Sequence, residues 1–73
     1  MTAPKNEHIE FLRLFESTRT RIYRLLLKHT GDEHTAEDMT QDIYLRLWRH
    51  RAKLKMAGAE NYVFTMAYNL LAD

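Results

Sequence analysis

The sequence predicts an all-α fold, a three-helix bundle in one small domain. Two observations carry that expectation. First, Leu, Ile, Phe, Met and Tyr dominate the apolar set, while 73 residues contain only two glycines and one proline, a composition that favours helices over sheet. Second, apolar residues recur at helical spacing along three stretches, separated by two breaks marked by Gly31 and Gly58. The chain is 45% hydrophobic and 29% charged, an ordinary globular balance. At this length folding buries only about 60% of the unfolded surface, so marginal stability is expected.

The first helix is expected from about Glu7 to His29. Phe11, Leu12, Phe15, Ile22, Tyr23 and Leu26 share a face, and Arg13, Ser17, Arg21, Arg24 and Lys28 share the opposite one. Arg19 falls inside the apolar arc. Two readings fit it: an arginine whose stem packs while its head reaches water, or a partner for an acid on the second helix. Gly31 suits the left-handed position that follows a helix C-terminus.

The second helix is expected to begin at Thr35, whose hydroxyl can cap the amide of Asp38 while Asp38 reaches back. Glu37 and Asp38 also suit the positive end of the helix dipole. At ~100° per residue, Ala36, Met39, Ile43 and Leu47 cluster on one face with Tyr44 and Trp48 on its flank. Opposite them lie Asp38, Gln41, Asp42 and Arg49, with Leu45 in the middle of that polar group. One reading is a solvated face with a leucine exposed by chance, which is common. The other is a recognition surface with Leu45 as its apolar anchor. The helix is expected to end near His50 to Ala52.

A short basic joint, Lys53 to Ala59, leads to a third helix from about Glu60 onward. Val63, Met66, Ala67 and Leu70 form its apolar seam, extended by Phe64 and Leu71. Asn61, Thr65, Tyr68 and Ala72, with Asn69 beside them, form an outward face without charge. A face that merely meets water is usually Lys and Glu, whereas this one offers donors, acceptors and a stacking ring. The expected core is Phe15, Ile22, Leu26, Met39, Ile43, Leu47, Val63, Met66 and Leu70.

Formal net charge is +1, less basic than a dedicated DNA-binding domain. That average conceals two basic zones, Arg13 to Lys28 and Arg46 to Lys55, around the acids Asp32, Glu33, Glu37, Asp38 and Asp42. With no cysteine there is no disulfide framework or thiolate metal site. Met1 to Glu10 lacks the apolar core of a signal peptide, and the longest aliphatic run is Leu25 to Leu27, far short of a membrane span. A cytoplasmic domain without membrane insertion is expected. No enzyme is expected either. No two of His8, His29, His34 and His50 lie four apart on one helix, so neither a metal nor another cofactor is indicated. Ser17 has no histidine near it in sequence, and there is no glycine-rich phosphate loop.

The run Ala36-Glu37-Asp38-Met39-Thr40-Gln41-Asp42-Ile43-Tyr44-Leu45-Arg46-Leu47-Trp48 resembles the segment by which sigma-70 family initiation factors grip RNA polymerase. It is most like the bacterial extracytoplasmic-function (ECF) branch. From about Phe11 to Asp73 the chain fits the same region 2 domain, with a second matching patch at Ala67-Tyr68-Asn69-Leu70. The resemblance implies that Asp38, Gln41, Asp42, Leu45 and Arg49 pack on the coiled-coil clamp helices of the polymerase β′ subunit. It further implies that the joint and third helix read and melt the promoter −10 element by capturing an unstacked base of the non-template strand. Lys53 and Lys55 suit its phosphates, and Asn61, Tyr62, Thr65, Tyr68 and Asn69 suit base edges and faces. Tyr62 also has a core-packing reading, because relatives often carry a structural Trp there.

The resemblance departs in two places. The position before Asn69 is usually basic in this family but is Tyr68 here. Relatives also continue past the position of Asp73 with basic residues, a linker and a helix-turn-helix domain for the −35 element, so the chain is expected to be a region 2 fragment. An anti-sigma factor is a common partner in the family. The competing expectation is a helical protein-interaction module without DNA binding, which near-neutral charge and Tyr68 favour.

Overall fold

A computed structural model describes the backbone of residues 3–53 and 58–72, with side chains over residues 8–52 and 58–72. Over that part the chain forms α1 (Ala3–Thr30), α2 (Glu33–Arg49) and α3 (Ala59–Ala72), with a 3-10 turn at Arg51–Lys53 and no strand. The three-helix, all-α expectation holds. α1 starts earlier than Glu7 because Pro4 falls in its first turn, where a missing N–H leaves no bond unmade. At 1.5 Å per residue this helix is about 42 Å long, which sets the long axis of a molecule measuring 44 × 19 × 18 Å.

Gly31 ends α1 with φ +70°, and its amide donates to the Leu27 carbonyl at 2.8 Å. A Cβ there would meet nothing within 4 Å, so backbone conformation alone selects glycine. The same holds at Gly58, φ +87°, just before α3.

The start of α2 corrects the sequence reading. Asp32, not Thr35, is the N-cap: its backbone is extended and its carboxylate accepts from the Thr35 amide at 3.0 Å. The Thr35 hydroxyl donates to the same carboxylate oxygen instead of capping Asp38. Aspartate is as good a cap as threonine, and the Gly31 turn delivers it to the site first. The Thr35 hydroxyl and then the Thr35 amide hold the Asp32 carboxyl below its ordinary 3.8. A group with a lowered folded pKa stabilises fully above its unfolded value, and that contribution disappears as pH falls through the folded one. Asp32→Ala is therefore expected to lower Tm by a few degrees at neutral pH. The gap to the parent should close below about pH 4 in melts followed by circular dichroism.

The core is a stripe of Leu14, Thr18, Ile22 and Leu26 from α1, with Ala36, Thr40, Ile43, Tyr44 and Leu47 from α2 and Ala59, Val63 and Ala67 from α3. Of the expected core, Ile22, Leu26, Ile43, Leu47 and Val63 are fully buried. Phe15, Met39, Met66 and Leu70 are half-buried against it. The larger departure is rotational: Leu12 is 53% exposed while Leu14, left out of the expected face, is buried. Phe11, Leu12 and Phe15 pull a sequence-derived arc toward themselves, but α2 and α3 cover α1 along its four-residue ridge from Leu14 to Leu26.

Two buried threonines also escape a hydrophobicity pattern. Each turns its hydroxyl onto the carbonyl four residues back, Thr18 to Leu14 at 2.6 Å and Thr40 to Ala36 at 2.7 Å, leaving a methyl to pack. With its own proton so used, the Thr18 oxygen accepts from the Tyr44 hydroxyl at 2.6 Å, linking α1 to α2 inside the core. Burial pushes the Tyr44 phenol above its ordinary 10.0, so it stays a donor at any physiological pH. α1 and α2 run antiparallel, since Phe11 meets Trp48 and Phe15 meets Tyr44, each with ring centroids 5.0 Å apart. Arg19 of α1 reaches Glu37 of α2 at 3.8 Å and lies over Phe15. The second reading of Arg19 is the one observed, although an exposed pair contributes little stability.

Candidate functional site

Two surfaces gather the residues singled out in the sequence. On α2, Asp38, Gln41, Leu45 and Arg49 are exposed, and Asp42 is half-buried beside them. Asp42 is already engaged by Arg46 at 3.1 Å, a four-residue helical pair. Leu45 is 55% exposed, more than a core leucine tolerates.

The structure corrects one part of this picture: Leu45 does not stand alone. It borders an open groove of about 510 Å³ between α1 and α2, whose apolar walls include Phe11, Phe15, Tyr44 and Trp48 and whose polar rim is Arg19, Glu37 and Gln41. Trp48 is fixed within it from several sides. His8 lies 5.1 Å away, the Phe11 ring meets it edge-on, and the Arg51 guanidinium sits 3.8 Å over the indole while donating to the Trp48 carbonyl. Sequence reasoning assigned Phe11 and Phe15 to a buried face and so missed them here. The available signal was Arg19, one turn beyond Phe15, because a cation inside an apolar arc marks a side of the helix that is not closed.

On α3, Asn61, Thr65 and Tyr68 share one exposed column, and Tyr62 and Asn69 form a second beside it. Tyr62 is 49% exposed and Tyr68 54%. The core-packing reading of Tyr62 therefore does not describe this helix, and its ring presents a face to solvent. From Asn61 to Ala72 the helix carries no charge. Lys53 belongs by its backbone to the 3-10 turn, and its side chain, like the whole of Lys55, lies outside the described residues.

A smaller recess of about 350 Å³ opens where α3 starts against α1, lined by Leu14, Ser17, Gly58, Glu60 and Asn61. Arg21 of α1 reaches α3 beside it, its guanidinium 3.3 Å from Glu60 and 5.4 Å over the Phe64 ring. Among the described residues, no group of three His, Asp or Glu side chains is placed to hold a metal ion, and no helix is long and apolar enough to cross a membrane.

A half-exposed leucine at an aromatic groove and a separate uncharged Asn-Tyr face are features of a binding domain. The sigma-70 region 2 family model matches residues 14–73. The chain is 31% identical over 65 residues to the ECF RNA polymerase sigma factor SigK of Mycolicibacterium vanbaalenii, covering 86% of this chain and 33% of that protein. It is 29% identical over 70 residues to the factor of the same name from Mycobacterium tuberculosis (strain H37Rv), covering 93% and 37%. The chain thus spans about a third of the length of these relatives. No solved structure matches it. The chain belongs to the sigma-70 region 2 family and is a region 2 domain of the ECF type.

Proposed function

We propose that this domain is a transcription initiation module that docks on the β′ clamp helices of RNA polymerase through α2. On this reading α3 recognises the −10 element as an opened non-template strand. The observation that carries the reading is Leu45, held half-exposed at the mouth of the groove with Asp38, Gln41 and Arg49 around it. An apolar anchor ringed by polar groups is the usual anatomy of a protein interface. The docking and reading surfaces lie on different helices, so one partner need not displace the other.

Each residue has a distinct task. Leu45 enters an apolar site of the clamp, with Gln41, Asp38 and Arg49 bonding at its rim and Asp42 kept in place by Arg46. Tyr62 and Tyr68 stack on bases, while Asn61, Thr65 and Asn69 bond their edges. Lys53 and Lys55 hold phosphates. The domain makes and breaks no covalent bond, and phosphodiester chemistry belongs to the polymerase. Opening the duplex costs energy that the isolated domain does not recover, so duplex promoter should bind poorly to it and a single strand better.

Retention of core polymerase on the immobilised chain tests the docking half. Titration of labelled −10 and scrambled single strands tests the other. Asn69→Ala is expected to reduce the preference between the strands roughly fivefold, the equivalent of one hydrogen bond of about 1 kcal/mol. Tight, sequence-blind binding to duplex would contradict strand capture. Retention of polymerase with no binding to any strand would favour a protein-interaction module without DNA binding.

A further inference from the structure

We infer that the outward side of α1 is a second nucleic-acid contact, a row of cations formed by Arg13, Arg21, Arg24 and Lys28 that holds backbone phosphates of the DNA whose bases meet α3. The inference rests on DNA reading by α3 and adds to it a surface on a different helix.

At ~100° per residue, Arg13, Ser17, Thr20, Arg21, Arg24 and Lys28 fall within one sector of about 100°. The row extends over roughly 22 Å of helix. All six residues are exposed, and between Arg13 and Lys28 the sector contains no acid, Glu10 lying one turn before it. Among the described residues, Arg13, Arg24 and Lys28 have no carboxylate at ion-pair distance, and only Arg21 is paired, to Glu60. From Thr20 to Lys28 α1 carries Arg21, Arg24 and Lys28 and no acid, its own Glu10 and Glu16 flanking Arg13 only, whereas Glu33, Glu37, Asp38 and Asp42 gather on α2. A net charge of +1 therefore averages a basic side and an acidic side.

Stability does not account for this row. A solvated helix face gains from cations alternating with acids three or four residues away, whereas like charges at those spacings weaken it. Arg21 with Arg24, and Arg24 with Lys28, are such like-charge neighbours. The helix dipole explains a cation in the last turn, which covers Lys28 but neither Arg13 nor Arg24.

Position supplies the partner. Ser17 and Asn61 line the same recess, and Arg21, one turn beyond Ser17, meets Glu60 of that recess and lies over Phe64, one turn beyond Asn61. α1 and α3 thus run in the same sense here, and the cation row meets α3 at Glu60, Asn61 and Phe64, where the Asn61 column begins. α3 offers stacking rings and amides but no cation from Asn61 onward. A strand laid on that helix finds partners for its bases there and partners for its phosphates on α1.

The test is fluorescence anisotropy of labelled −10 and scrambled single strands against the chain and its Arg13→Gln/Arg24→Gln/Lys28→Gln variant, over a salt series. These side chains are exposed, so the variant should melt at or above the parent temperature. Affinity should fall for both strands alike, leaving their ratio unchanged. The slope of log affinity against log salt should flatten by about 2, from roughly 0.7 per lost phosphate contact on a single strand. A variant with unchanged affinity and slope overturns this inference alone, and the Asn69→Ala ratio then shows that α3 reading stands. A parent chain that binds no strand overturns both.

Discussion

Leu47→Ala is expected to unfold much of the population at room temperature. Leu47 is 1% exposed and belongs to the same core as the buried residues Leu14, Ile22, Ile43 and Val63. Removing a buried leucine side chain costs about 2–5 kcal/mol, from lost transfer energy together with the cavity left behind. A single core at this chain length rarely supplies more than about 3–5 kcal/mol in total, so the two quantities meet. α2 has little room to close the gap. The residues one turn back from Leu47 are Ile43, itself fully buried, and Tyr44, tied to Thr18 by its hydroxyl. Thermal melts followed by circular dichroism check this, and a variant that melts with the parent would mean that Leu47 does not hold the helices together.

Leu45→Ala should do the reverse. The side chain lies two residues from Leu47 on the same helix, but about 200° around it, and it loses little on truncation because it is already half in water. Stability is expected to stay within about 0.5 kcal/mol of the parent. On the proposed docking mode, binding to the isolated β′ clamp helices should weaken roughly tenfold, or about 1.4 kcal/mol, as for a central apolar anchor. Trp48 and the Phe11 edge would remain to form the rest of the groove, so the loss should be partial. Calorimetry of both proteins against the clamp fragment separates the outcomes. A collapsed fold would mean that the helix face is rotated, whereas unchanged affinity would remove Leu45 as the anchor.

These two leucines show how much the sequence alone can resolve. On α2 a single period separates Ala36, Ile43 and Leu47 from Asp38, Gln41 and Leu45, because apolar and polar residues alternate cleanly with the helical turn. The observed burial follows that division. The outward residues of α3 were legible for the same reason, since an uncharged polar stripe stands out against the Val63 and Ala67 seam. α1 was harder. Phe11, Leu12, Leu14 and Phe15 spread apolar character over nearly half its circumference, and hydrophobicity cannot decide which part a neighbour covers.

What belongs to the sequence by itself is local: three helical periods, the breaks at Gly31 and Gly58, the uncharged outward side of α3 and the composition of the α2 motif. Each depends on backbone geometry or on residues within one turn of each other. What only the tertiary structure decided depends on which helix lies against which. It buried Leu14 and exposed Leu12, and closed Thr18 onto Tyr44. It also turned Leu45 from an isolated residue into one wall of an aromatic groove built with Phe11, Phe15 and Trp48. Burial belongs to a packed pair of surfaces, and the second surface of each pair lies some 30 residues away in the chain, beyond the reach of any local period.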